Sequence, residues 1–342
     1  MSKKNNKSMH IFMESLKLYF SNIDKFLKYM TFPVLGQLAG LLIVFFCVYF
    51  YSKNIPVLIQ KFPSLNNFDT LMLTALFLTL PGLIIFTKAF WEYLVAYGAI
   101  NSMLENMLKS GKVYDFDAHT ELIKRRTLSF VALWLLFGIF SLLAIVPLFW
   151  IICGVLTIFF VLIFQVFTYE PEQSPLGCVK RSFNLVKGHF ATTFMLFALI
   201  GALTYYLIPS VANFILEVLN VNNFLIEAVL PFVNLLPLDE INSLRANVFL
   251  QPLQPNDIAL SIVSIFVFQI FIQYTLPMRS ILWGMWYKEL NGGKLYVSKE
   301  DKPRKKNSKK PSEKLMESSR KKYSSKKLDR NILKRAMEKD ED

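Results

Sequence analysis

Charged side chains are scarce in this sequence. Asp, Glu, Lys and Arg together make up 18% of its 342 residues, whereas hydrophobic residues make up 54% and aromatic residues 15%. Soluble domains typically contain about 25% charged and about 45–50% apolar residues. One long stretch, 128–168, contains no charged residue at all. This composition excludes an ordinary soluble domain and predicts an integral membrane protein.

The sequence also lacks the short motifs that carry enzyme chemistry. It contains no HExxH, CxxC, Walker-type phosphate loop or GxSxG pattern. The three cysteines have no metal-type spacing, and an odd number cannot all pair within one chain. His10, His119 and His189 share no ligand spacing. We therefore expect a non-enzymatic protein with no catalytic residues, no metal site and no cofactor.

Six apolar segments are long enough to cross a bilayer, since a helix needs about 20 apolar residues to span a hydrocarbon core of about 30 Å. The stretch 128–168 is too long for one span, and Pro147 divides it into two spans joined by a tight hairpin. The predicted spans are 31–51, 70–88, 128–146, 149–168, 192–219 and 258–286.

The distribution of Lys and Arg predicts the orientation of these spans. In chain order, the segments before, between and after them contain six, two, five, none, three, one and 19 basic residues. Cytoplasmic segments are enriched in Lys and Arg, so the alternation predicts that both termini lie in the cytoplasm. A seventh span at 223–238 would put the 19 basic residues outside, so we expect that segment to be interfacial or re-entrant.

The predicted fold class is therefore an all-α integral membrane protein. Residues 1–290 would form a six-span membrane domain, and residues 291–342 a disordered basic cytoplasmic tail, because the tail has few apolar residues. The tail could act only as a positively charged anchor. Alternatively, it could bind anionic lipid or another polyanion such as RNA.

The segment 174–188, SPLGCVKRSFNLVKG, predicts an amphipathic helix on the inner membrane surface. Ser174 before Pro175 is typical of a helix start, and Gly188 of a helix end. Its apolar residues recur at spacings of three and four, which predicts one face against lipid and a basic face toward the phosphates. The predicted apolar face consists of Leu176, Val179, Phe183, Val186 and Phe190. We call such a helix, placed just before a span, an elbow helix.

Three roles are open for this elbow helix. It could be an anchor that fixes the angle between the fourth and fifth spans. It could instead form a lipid-headgroup site, or a catalytic site, although no carboxylate, His or Cys constellation accompanies it. The residues of the predicted headgroup site are Lys180, Arg181, Ser182 and Lys187.

The N-terminal segment repeats the elbow design. Its apolar residues again recur at spacings of three and four before the first span, with lysines away from that face. These residues are Phe12, Leu16, Tyr19, Ile23, Phe26 and Met30.

Three charges within or near the spans are further candidates, because ionisable residues at membrane depth are often functional. Lys88 and Glu92 could form a buried relay. However, Lys88 is about 27 Å along the helix from Thr70, which favours a lysine that extends to the inner boundary, with Glu92 as its neighbour, over a buried relay. Arg279 in the last span would cost about 2.5–3.5 kcal/mol if central and unpaired, and Glu92 is a conceivable partner.

The run LGCVKRSFNLVKGHFATTFMLFALI follows an apolar hairpin with a central proline and a TYEP exit. It resembles a family of bacterial multi-pass proteins related to the membrane domain of some glycerophosphoryl diester phosphodiesterases. Two elements of that family look like A-x-x-R-S-x-x-L-x-K-G-x-x-x-x-F and P-x-x-x-I-x-x-x-x-Y-x-x-L. The first is matched by Arg181, Ser182, Leu185, Lys187 and Gly188, with Cys178 where a small residue is usual, and the second by Pro277, Ile281, Tyr287 and Leu290 in a looser register.

The resemblance implies a six-span helical fold with cytoplasmic elbow helices. It does not imply phosphodiesterase activity, because the hydrolase domain is a separate barrel of about 250 residues. We therefore expect a role in membrane organisation or lipid-associated support, with phospholipid as the partner. The alternatives are a transporter or lipid-translocating protein that uses Lys88, Glu92 and Arg279, and a membrane-insertion helper whose tail binds ribosomes.

Overall fold

The structure is a computed structural model that describes residues 3–247 and 249–296. Within them every regular element is helical, which confirms the predicted all-α class. The α-helices are α1 (Lys3–Phe20), α2 (Ile23–Lys61), α3 (Phe68–Ser110), α4 (Phe116–Lys124), α5 (Thr127–Leu143), α6 (Trp150–Phe160), α7 (Ile163–Tyr169), α8 (Pro175–Lys187), α9 (Phe190–Gly201), α10 (Ile208–Val218), α11 (Val221–Val233), α12 (Leu238–Ala246), α13 (Pro255–Tyr274) and α14 (Leu276–Leu290).

Five helical segments among the described residues are long and apolar enough to cross a membrane, and the bent pair α4 and α5 makes a sixth candidate if it counts as one span. Large apolar side chains on these segments face outward: Leu128 is 87% exposed, and Ile151 is 82% exposed. Soluble proteins rarely expose large contiguous apolar patches. These helices and their exposed apolar side chains therefore indicate a membrane protein. The five segments are Ile23–Lys61, Phe68–Ser110, Pro147–Tyr169, Phe190–Val218 and Pro255–Tyr274.

The last predicted span, 258–286, is divided in the structure at Thr275, where α13 ends and α14 begins. Pro277 has no amide hydrogen to donate to the carbonyl four residues earlier, and its ring crowds that carbonyl. The Thr275 hydroxyl donates a hydrogen bond to the carbonyl oxygen of Ile272 at 2.7 Å. Hydropathy therefore predicts one span, whereas the proline divides the segment into two helices, α13 and α14.

The basic tail was predicted to begin at residue 291, yet Leu295 and Tyr296 pack against the protein. Leu295 is 8% exposed, and the Tyr296 ring lies edge-on to the Tyr169 ring with centroids 5.5 Å apart. The packing of apolar side chains thus continues past α14. The remaining tail, 297–342, lies outside the described residues, and so does its predicted disorder.

The described residues fall into two compact units. The first is formed from Met1–Lys25, Val95–Phe197 and Pro277–Asp342, as far as these are described, and the second from Phe26–Leu94 and Ala198–Leu276. The core of the first unit contains an aromatic cluster on α3, α5, α6 and α7, in which the Trp134 and Phe164 rings are 4.4 Å apart. Tyr97 and Phe130 extend this cluster.

In the second unit, α2 and α3 cross closely at glycines. A Cβ atom on Gly40 would lie 2.5 Å from the backbone nitrogen of Phe86, and one on Gly82 would lie 2.6 Å from the carbonyl oxygen of Gly40. Small residues let helix backbones approach in this way. The Gly36–Gly40 step therefore packs α2 against α3 within the chain.

The segment predicted to be interfacial or re-entrant, 223–238, lies mostly in α11 of the second unit. This helix has 13 residues, or about 20 Å at 1.5 Å per residue, which is too short to cross a bilayer core. Its Phe232 ring packs on Tyr49 and Phe46 of α2 at centroid distances of 4.9 and 5.5 Å.

Candidate functional site

Local signals set the ends of α8. The Ser174 hydroxyl accepts a hydrogen bond from the Gly177 amide at 3.1 Å, Pro175 is the first helical residue, and Gly188 follows the last one. On the face predicted to lie against lipid, Leu176 is 69% exposed, Val179 and Phe183 are half-buried, and Val186 is buried in the protein. Small side chains let α8 approach α6 and α7 on another side. The buried face consists of Cys178, Ser182, Leu185 and Val186.

Ser182 is fully buried and bridges the break between α6 and α7. Its hydroxyl donates to the carbonyl oxygen of Phe159 at 2.7 Å and accepts from the amide of Leu162 at 3.3 Å. Backbone groups released by a helix break need such partners in apolar surroundings. The Ser182 hydroxyl therefore forms its hydrogen bonds inside the protein, although the sequence analysis placed this residue in the headgroup site.

Arg181 also points inward, and it joins three chain segments through Glu170. Its Nε donates to Glu170 Oε1 at 2.8 Å, and its Nη2 donates to Asn291 Oδ1 at 2.9 Å. The Tyr287 hydroxyl donates to the same Glu170 Oε1 at 2.9 Å, and Gln173 donates to Oε2 at 3.1 Å. Glu170 is only 7% exposed. We call these five residues the Glu170 cluster.

The Tyr287 phenol of this cluster stays protonated. Burial raises the pKa of the Tyr287 phenol, and the negative charge of Glu170 raises it further. Tyr287 is therefore a permanent donor at physiological pH. Because both carboxylate oxygens have donors, the charge of Glu170 is balanced within the protein.

Lys180 and Lys187 are the two predicted headgroup residues that remain at the surface. Both are exposed on α8, and neither has a hydrogen bond or ion pair with a described residue. Lys180 lies one turn beyond the exposed Leu176. The outer surface of α8 thus combines apolar and cationic groups, as an interfacial helix does.

The three predicted intramembrane charges are distributed over both units. Lys88 is exposed, with its Nζ 5.6 Å from the centroid of the Phe32 ring, and Glu92 is half-buried; both belong to the second unit. Arg279 is half-buried and belongs to the first unit. No single unit contains all three.

A buried polar cluster around Asn101 was missed by the sequence reasoning. Asn101 Oδ1 accepts hydrogen bonds from Ser280 at 2.6 Å and from Gln165 at 3.1 Å, and its carbonyl oxygen accepts from the Tyr169 hydroxyl at 2.5 Å. Asn101, Gln165 and Ser280 are completely buried. Gln165, the only amide side chain in 128–168, was the available signal.

A cavity of about 200 Å³ was missed as well. Lys7 and Glu289 form an ion pair at its edge, with Nζ and Oε1 2.6 Å apart. His189 lines it, and the buried Nδ1 of this residue has no hydrogen-bond partner among the described residues. The lining includes Lys7 and Ser8 of α1, His189 and Thr192 at the start of α9, and Trp286 and Glu289 of α14.

Three residues from separate parts of the chain, Arg181, Glu170 and Tyr287, thus meet in space. Arg181 of the first element and Tyr287 of the second both donate to Glu170 of the TYEP exit. Trp286, next to Tyr287, donates from Nε1 to the Thr193 hydroxyl at 3.0 Å. These residues hold the chain segments of the first unit together. No family model, no curated protein and no solved structure matches this chain.

Proposed function

We propose that this protein is a non-enzymatic, six-span protein of the bacterial inner membrane, with both termini in the cytoplasm. It contacts anionic phospholipid headgroups through Lys180 and Lys187 and thereby supports membrane organisation. The contact is made at the elbow helix α8, and the basic tail adds to it by binding anionic lipid or another polyanion.

The observation that supports this proposal is that α8 has some polar residues held inside the protein and others exposed at its surface. Arg181 and Ser182 are held inside by Glu170 and by the break between α6 and α7, so α8 has a fixed rotation about its axis. Lys180, Lys187 and Leu176 remain outside. Cations near an anionic leaflet contribute about 1 kcal/mol each.

Mass spectrometry of co-purifying lipid tests the proposal. We expect the wild-type protein to retain anionic lipid in preference to zwitterionic lipid. The double variant Lys180→Gln/Lys187→Gln should lose roughly tenfold or more of this preference, because about 2 kcal/mol is removed. A matched control is Lys53→Gln/Lys61→Gln, which removes two exposed lysines from the segment predicted to lie outside the cell.

If the wild type and the α8 variant retain equal amounts of anionic lipid, these lysines do not contact headgroups. The helix α8 would then be only an anchor.

A further inference from the structure

The cavity beside His189 has a charge pattern that selects its ligand. Lys7 and Glu289 stand side by side at its edge, so the cavity carries one positive and one negative group. A simple anion would be attracted by Lys7 and repelled by Glu289, and a simple cation would experience the reverse. A ligand that carries both charges can pair with both groups at once.

The neutral side chains that line the cavity also include one suited to a phosphate and one suited to an ammonium group. His189 Nδ1 is buried without a hydrogen-bond partner among the described residues, and buried polar nitrogens rarely remain so. In the tautomer with a proton on Nδ1 it donates, which suits a phosphate oxygen. Trp286 is 4% exposed and forms a wall of the cavity, and an indole ring attracts an ammonium group.

The size of the cavity agrees with a compact headgroup. A cavity of about 200 Å³ has room for a compact group such as phosphoethanolamine. A trimethylated ammonium would be bulkier and could not donate a hydrogen bond to Glu289.

We propose that this cavity binds a phosphoethanolamine group, with the phosphate at Lys7 and His189 and the primary ammonium at Glu289 against Trp286. The group can belong to a phospholipid or to free phosphoethanolamine. The site is separate from the lysines of α8, and the ligand is zwitterionic, so the proposal goes beyond the anionic headgroup contact at α8.

Lipid retention by the purified full-length protein tests this site. The protein is offered equal amounts of phosphatidylethanolamine and phosphatidylcholine in detergent, and the bound lipids are counted by native mass spectrometry. We expect about tenfold preference for phosphatidylethanolamine, the value of one hydrogen bond between charged groups. Glu289→Gln and Lys7→Gln should reduce the preference toward unity.

Two further variants separate binding from folding. His189→Phe keeps a ring but removes the donor and should reduce the preference, whereas His189→Asn keeps a nitrogen donor and should restore most of it. The Lys7 side chain is 64% exposed, so Lys7→Gln leaves the fold intact. Lys17→Gln, at an exposed lysine on the same helix but outside the cavity, is the matched control and should bind as the wild type does.

Competition with soluble phosphoethanolamine identifies the source of the ligand. Displacement of the lipid by the soluble compound would show that the headgroup alone is recognised, and preference without displacement would show that the acyl chains are also needed. Equal retention of the two lipids by the wild-type protein would overturn the proposal, as would a preference that survives all cavity variants. Loss of the preference in Lys180→Gln/Lys187→Gln alone would assign the binding to α8 and overturn the cavity site.

Discussion

Arg181 and Glu170 are joined by a 2.8 Å ion pair that ties α8 to the end of α7. The carboxylate is nearly buried, whereas the guanidinium side chain is 34% exposed. The pair therefore fixes the rotation of α8 and leaves its exposed lysines free for other contacts. Structural and surface roles are thus assigned to neighbouring residues, Lys180 and Arg181, of one short helix.

Glu170→Ala should destabilise the protein strongly. The change leaves Arg181 and Tyr287 without their shared acceptor, and breaking a buried pair costs about 3–5 kcal/mol, reduced here because Arg181 is partly exposed. The unfolding temperature in detergent should fall by several degrees. Lys180→Ala, one residue from Arg181, is the control and should leave it unchanged. Equal unfolding temperatures for the wild type and Glu170→Ala would contradict the role of the cluster.

Ser182→Ala should destabilise the break between α6 and α7. The carbonyl of Phe159 and the amide of Leu162 would lose a partner in apolar surroundings, at a cost of about 1–3 kcal/mol. Thermal unfolding checks this, with Asn184→Ala as a control at an exposed position on the same helix. A Ser182→Ala protein as stable as the control would show that the hydroxyl is dispensable.

Gly40→Ala and Gly138→Ala should change stability in opposite directions. At Gly40 the new methyl group would lie 2.5 Å from the backbone nitrogen of Phe86, and overpacking of this kind costs about 1–3 kcal/mol. At Gly138 nothing lies within 4 Å, so alanine should stabilise α5 by up to about 1 kcal/mol. The two unfolding temperatures measure the difference, and equal values would contradict the close crossing of α2 and α3.

Several features were predictable because nearby residues determine them. The helix break at Pro147, the start of α8 at Ser174 and Pro175, and the presence of long apolar helices follow from local signals. The break at Thr275 also has a local cause, Pro277, but hydropathy outweighed it in the prediction.

The polar contacts were not predictable, because they join distant parts of the chain. Glu170 and Tyr287 are 117 residues apart, and Asn101 and Ser280 are 179 apart. Nothing in one sequence shows that such residues pair. The basic run of α8 therefore suggested that Arg181 is a surface residue like Lys180, although it is held inward.

His119 should make stability depend on pH. Burial lowers its pKa from 6.5 to about 4, and the charge of Asp115 opposes this only partly. Between these values the unfolded chain binds a proton that the folded protein does not. The free energy of unfolding should therefore be highest above pH 6.5 and fall as the pH decreases toward 4, by roughly 3 kcal/mol.

Unfolding midpoints at pH 7.5 and pH about 5 check this prediction. His119→Asn keeps a group near Ser102, whose hydroxyl lies 2.7 Å from His119 Nδ1, but cannot take up a proton. Its stability should change less between the two pH values. An identical pH dependence in the variant and the wild type would rule out His119 as the source.

The position of α8 at the membrane surface is tested most directly by spin-label depth in reconstituted vesicles. Labels are attached to cysteines introduced at positions 176 and 180, after Cys47 is replaced by serine; Cys153 and Cys178 are buried. We expect the label at 176 to be relaxed by oxygen dissolved among the acyl chains and the label at 180 to lie at headgroup depth. If water-soluble relaxation agents reach both labels as in bulk water, α8 does not lie on the membrane and the proposed headgroup contact is wrong.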